Sequence, residues 1–166
     1  DRRLTARSAR PPTCAPRLPE ATDATIDRPD HETMSDYSFT HDVAVRYRDL
    51  DTMEHVNNAV YASYFEQARV AYFEEVLDVP LRDIESVLAS LDIDFRRPVE
   101  IDHDVTVAVR VPELGETSLP MEYEVRADGA VAATGETVQV AVDTETKSSK
   151  PIPESWREDI REFEGL

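Results

Sequence analysis

The sequence predicts an α+β domain in which a five-stranded antiparallel sheet wraps around a long central helix. Three observations predict it. One stretch of helical period runs from Ala59 to about Leu77, five segments alternate apolar and polar residues, and no second long helix separates the last four of those segments. With 166 residues, 40% of them apolar, the chain has room for one core and not two.

Residues 1–33 precede the pattern and share none of it. They hold five prolines, no aromatic residue and no apolar period, a composition expected to stay disordered. Their arginines suggest a transit peptide, but Glu20, Asp23, Asp27, Asp30 and Glu32 argue against one, because such peptides are acid-poor. Met34 stands immediately before the first patterned residues. The expectation is therefore an N-terminal extension over 1–33, from upstream translation or a misplaced start and without function, followed by a folded domain over 34–166.

The first strand is expected at Val43, Val45 and Tyr47, which alternate with Ala44, Arg46 and Arg48. A polar turn, DLDTMEHVNN, leads into the helix, for which Asn57 or Asn58 is the natural N-cap. Tyr61, Tyr64, Phe65, Ala68, Tyr72 and Val76 form its apolar stripe, and Val60, Val70 and Phe73 spill beyond it, which predicts cover on more than one side. Glu66 and Arg69 are spaced to pair on the helix surface.

Leu91, Ile93 and Phe95 mark the second strand, Val105 to Val111 the third, and Leu119 to Val125 the fourth. Asp128-Gly129 is a tight hairpin turn into Val131–Val142. The four are expected to form an antiparallel meander. In the last strand the apolar phase slips by one residue, and Gly135 is the expected bulge. Trp156, Ile160 and Phe163 form a short amphipathic piece at the end.

Eighteen Lys and Arg face 35 Asp and Glu, a net charge of −17, which argues against a sequence-independent grip on nucleic acid or an anionic membrane. Six basic and six acidic residues cancel over 1–33, so the whole excess lies in the predicted domain. There the acids are dispersed and Lys147 and Lys150 are the only lysines, the pattern of salt-loving archaeal proteins. Cys14 is the single cysteine, so neither an internal disulfide nor a Cys-based zinc cluster can form. No apolar run approaches the ~18 residues of a membrane span. A soluble, cytoplasmic protein is expected.

The order strand, buried helix, four strands is the layout of the hot-dog fold. The run Tyr47-Arg48-Asp49-Leu50-Asp51-Thr52-Met53-Glu54-His55-Val56-Asn57-Asn58-Ala59-Val60-Tyr61, continuing to Tyr64 and Glu66-Gln67-Ala68-Arg69, resembles the signature of the 4-hydroxybenzoyl-CoA thioesterase family of hot-dog acyl-CoA thioesterases. The likeness spans Val43 to Val142, and its motifs are specific together and weak apart. Glu54 departs from the pattern, standing where many relatives have Gly.

The resemblance implies hydrolysis of an acyl-CoA to the free acid and CoA, with Asp51 as base or nucleophile. Attack on a thioester carbonyl needs such a group, and positive polarity at the oxygen where charge develops. A helix N-terminus supplies that polarity, which makes the Asn58 N–H the candidate oxyanion donor. The leaving thiolate has a parent pKa near ~8.5 and needs little acid assistance. Asp51 could instead merely cap the turn. His55 orients substrate, shares the base role, or bonds a neighbouring carbonyl. Tyr61 is a candidate substrate contact, and Arg96 and Arg97 could meet CoA phosphates, their bland alternative being charge balance on an acidic surface. Asp49, Asp51 and His55 carry suitable donors for a divalent ion but lack metal-motif spacing, so neither metal nor other cofactor is expected. The family also implies a homodimer or homotetramer joined at a sheet edge, with the site between subunits. The alternatives are an acyl-CoA-binding protein without catalysis and an acyl carrier protein thioesterase.

Overall fold

The computed structural model describes residues 36–166. The expectation for residues 1–33 lies outside them. The helix α1 spans Asn58–Val76, and at 19 residues it is of moderate length. Asn57 caps it, its side chain accepting the Ala59 N–H at 2.9 Å. Five strands, β1 (Phe39–Val43), β2 (Ser86–Phe95), β3 (Val105–Arg110), β4 (Ser118–Ala127) and β5 (Ala130–Ala141), form one antiparallel sheet in the order β1-β3-β4-β5-β2. A second helix, α2 (Glu154–Glu164), closes the chain.

The buried stripe of α1 lies across the inner face of this sheet. Phe65 stacks on Tyr123 of β4 at 4.4 Å and 13°, Tyr61 meets Phe95 of β2 edge-on at 5.1 Å, and Tyr72 meets Phe39 of β1 at 5.5 Å. Phe73, one of the residues beyond the stripe, is buried against Trp156 of α2. The helix is thus covered on two sides, by sheet and by α2.

Several sequence expectations are corrected. The first strand ends at Val43, four residues short of Tyr47, because β1 runs out of partner at Val105. Tyr47 then enters a 3-10 turn and is 86% exposed. The last four strands are not a simple meander either. β2 pairs with β5 and not with β3, since both edges of β3 are taken by β1 and β4. The hairpin at Asp128-Gly129 forms as expected, both residues taking positive φ, 49° and 77°.

The bulge in β5 is at Ala132, not Gly135. Val125 opposes Ala133 and Arg126 opposes Val131, so Ala132 is the extra residue, and its carbonyl accepts the N–H groups of Arg96 and Arg97 at 2.8 and 3.0 Å. Gly135 has a different task. A Cβ there would sit 2.5 Å from Phe65 Cε2 and 2.5 Å from the Asp92 carbonyl oxygen, so glycine is what lets α1 approach the sheet. Among the described residues no helix is long and apolar enough to cross a membrane.

Candidate active site

The turn before α1 is a small two-stranded ribbon. Leu50 and Val56 bridge antiparallel, the Asp51 N–H donates to the His55 carbonyl at 2.8 Å, and the Asn57 N–H donates to the Asp49 carbonyl at 2.8 Å. At its tip, Asp51 Oδ1 accepts the Met53 N–H at 2.7 Å and the His55 N–H at 3.3 Å. The turn-capping role is therefore filled by one carboxylate oxygen. Asp51 Oδ2 has no hydrogen-bond partner among the described residues, and the side chain is exposed.

Glu54 occupies the left-handed region at φ 63°. This is the backbone that glycine adopts at no steric cost, so a residue with a side chain bears strain there. His55 is half-buried, and its imidazole has no hydrogen-bond partner among the described residues. Asp49 serves the structure: its Oδ2 accepts the Arg46 N–H at 2.8 Å.

The ribbon delivers the chain to the mouth of α1. Asn57 takes up two of the free helix donors, the Ala59 N–H by its side chain and the Val60 N–H by its carbonyl at 2.8 Å. The Asn58 N–H is left without an acceptor among the described residues, at the positive end of a 19-residue helix. An exposed carboxylate oxygen and an open helix-terminal N–H thus stand on consecutive pieces of one ordered turn.

A third group joins them. The Val56 N–H donates to the Val99 carbonyl at 2.8 Å, tying the ribbon to the segment that follows β2. Arg96 and Arg97 lie at the start of that segment, exposed, and neither guanidinium has an ion-pair partner among the described residues. They are two exposed cations on a chain of net charge −17, three and two residues before the Val99 tie to the turn. Tyr61, by contrast, is 1% exposed, its ring held between Phe95 and Tyr64 and its hydroxyl pushed up by burial. It is a core residue and not a surface contact. The neighbouring Tyr64 hydroxyl is buried without a partner, and burial, then the Asp49 carboxylate and Tyr61, raise it to about 12.

Glu66 and Arg69 pair at 3.9 Å, Glu66 in solvent and Arg69 turned inward. No group of three His, Cys, Asp or Glu side chains converges on a metal position among the described residues. What the sequence patterns do not announce is a 350 Å³ cleft between α1 and the inner face of β2, lined by Phe65, Glu66, Arg69, Leu88, Leu91 and Gln139 among others. Its one faint signal is a glutamine inside the apolar run Val138–Val142.

Comparison with known proteins gives this geometry a context. A model of the Thioesterase-like superfamily matches residues 45–160. The uncharacterized protein YsmA of Bacillus subtilis (strain 168) is 30% identical over 141 residues, 84% of this chain and 93% of that protein. The long-chain acyl-CoA thioesterase FadM of Escherichia coli (strain K12) is 26% identical over 126 residues, 73% of this chain and 96% of the relative. A thioesterase from Thermus thermophilus, solved in complex with coenzyme A and Zn, superposes with a TM-score of 0.73 at 41% identity, over 78% of this chain and 96% of the other.

Proposed function

The chain belongs to the thioesterase-like superfamily, and from that membership we propose that it hydrolyses acyl-CoA thioesters to the free acid and CoA. The observation that carries the chemistry is the ordered turn, where Asp51 offers one oxygen to the backbone and keeps the other exposed beside the open mouth of α1. Asp51 acts on the thioester carbonyl as base or nucleophile. The Asn58 N–H and the helix dipole stabilise the oxyanion. His55, half-buried on the same ribbon, orients the substrate, and Tyr61 backs the acyl side of the site. Arg96 and Arg97 receive the CoA phosphates, for which guanidinium forks are suited.

Within the superfamily the D-x-D and His-Val-Asn-Asn turn favours the 4-hydroxybenzoyl-CoA thioesterase branch, and the left-handed backbone at Glu54 supports that placement despite the missing glycine. The quaternary arrangement we favour is at least a dimer joined along β2. That edge strand is exposed over most of its length and, apart from the leucines that face α1, carries Val87 and Phe95 at 49% and 47% exposure, a free apolar edge of the kind proteins cover. Thiol release from short, long and aromatic acyl-CoAs, with acyl carrier protein thioesters alongside, tests the activity. Release from some CoA thioester is expected. Tight acyl-CoA binding without release would make the chain a binding protein.

The acid excess further suggests adaptation to salt. Net charge −17 repels itself in the compact state, and 1 M salt shortens the Debye length to ~3 Å. The melting temperature is expected to be higher in 2 M than in 0.1 M KCl. Equal values would remove the salt-adapted origin.

A further inference from the structure

We propose that the cleft between α1 and β2 holds the acyl group of the substrate and selects medium-length acyl groups ending in an oxygen acceptor, which the Gln139 amide and the Arg69 guanidinium receive. The proposal rests on the thioesterase activity above and adds the class of acyl group. Two donors line the same cleft, one of them buried and without a partner among the described residues.

Gln139 is 4% exposed, and its Nε2 is fully buried with no hydrogen-bond partner among the described residues. Its Oε1 is held by the Ser86 hydroxyl at 3.4 Å, which turns the nitrogen end loose. A buried amide donor left empty costs the full desolvation of the group unless a ligand fills it. Arg69 has five N–H donors on a side chain 12% exposed. Its ion pair with Glu66 is long, 3.9 Å, and Glu66 itself is mostly in water. The rest of the lining is Phe65, Val70, Phe73, Leu88 and Leu91, suited to a hydrocarbon.

The dimensions set the length. Arg69 is eleven residues along α1 from Asn58, ~16 Å at 1.5 Å per residue. A volume of 350 Å³ accommodates about a dozen heavy atoms at the ~30 Å³ each that a water takes in the liquid. A ten-carbon acyl group with a terminal oxygen fits both measures. An unsubstituted chain of that length fills the cleft but leaves the Gln139 donor unpaired, which is how a site built to hydrogen-bond an oxygen rejects the analogue lacking it.

Decanoyl-CoA, 10-hydroxydecanoyl-CoA and decanedioyl-CoA, compared by kcat/KM on the full chain, test the proposal. The hydroxy substrate, the carboxy substrate or both are expected to exceed decanoyl-CoA by about tenfold or more. The two oxygenated arms tell a neutral acceptor from an anionic one. Gln139→Met, which keeps the side chain's length, is expected to level that preference. Equal rates, or a preference for decanoyl-CoA, overturn the proposal, as does a preference that survives in Gln139→Met. A changed molecular mass of Gln139→Met by light scattering overturns it too, by placing the amide in a contact between copies. Failure to cleave any CoA thioester, short or aromatic ones included, overturns both the proposal and the activity beneath it. Cleavage without discrimination overturns the proposal alone.

Discussion

Asp51→Asn is expected to lower thioester hydrolysis by ~10²-fold or more while leaving the fold and the affinity for acyl-CoA nearly unchanged. The structure explains why this substitution separates chemistry from architecture. Asp51 Oδ1 accepts the Met53 and His55 N–H groups, and the asparagine Oδ1 can accept both in the same place. Only the exposed second oxygen changes, from a basic and nucleophilic atom to an amide nitrogen that is neither. Asp49→Asn is the comparison, because the Asp49 carboxylate is spent on the Arg46 N–H in the 3-10 turn and has no assigned part in bond cleavage. Steady-state kinetics with thiol detection, paired with thermal melts, read the two effects separately. Near-parental turnover in Asp51→Asn would remove Asp51 from the mechanism. Equal damage from both substitutions with loss of fold would reduce the turn to a structural element.

The parts of this arrangement that could be read from sequence are those set by local chemistry. Asn57 caps α1 because an Asn side chain can accept from the donor two residues on, and the stripe from Tyr61 to Tyr72 is buried because its spacing matches the helix. Asp128-Gly129 turns because both residues tolerate positive φ. What the chain's alternation concealed is set by pairing partners distant in sequence. Val43, Val45 and Tyr47 alternate like a strand, but nothing opposes them beyond Val105. Gly135 reads as a bulge when its neighbours in sequence are considered, and as a clearance for Phe65 once α1 is laid on the sheet. The cleft was hidden for the same reason: Arg69, Leu88 and Gln139 come from three separate elements, and only the crossover that places β2 beside β5 brings them together.

Glu164→Ala is expected to destabilise the protein by about 3 kcal/mol, because one carboxylate at the end of α2 satisfies three donors on three other parts of the fold. Glu164 Oε1 accepts the Tyr72 hydroxyl at 2.7 Å and the Val111 N–H at 3.1 Å, and Oε2 accepts the Ser38 hydroxyl at 2.6 Å. Tyr72 is wholly buried, and burial together with the Glu164 carboxylate raises its pKa, so its proton stays in that bond. Val111 is 1% exposed, and removal of the carboxylate strands both donors away from water. At roughly 3–4 °C per kcal/mol for a domain of this size, the melting temperature falls by about 10 °C. Glu164→Gln retains an oxygen for Tyr72 and Val111 and is expected to lose less than half as much. In a Tyr72→Phe background the cost of Glu164→Ala shrinks, since the stranded hydroxyl is gone, and that coupling is what a double-mutant cycle measures. The packing of Ile160, Trp156 and Phe163 survives in every variant, so a loss below about 1 kcal/mol in Glu164→Ala would mean that α2 is held by those side chains alone. The expected result makes the last turn of the chain a clamp on α1, and hence on the position of the helix that carries the open N–H at its other end.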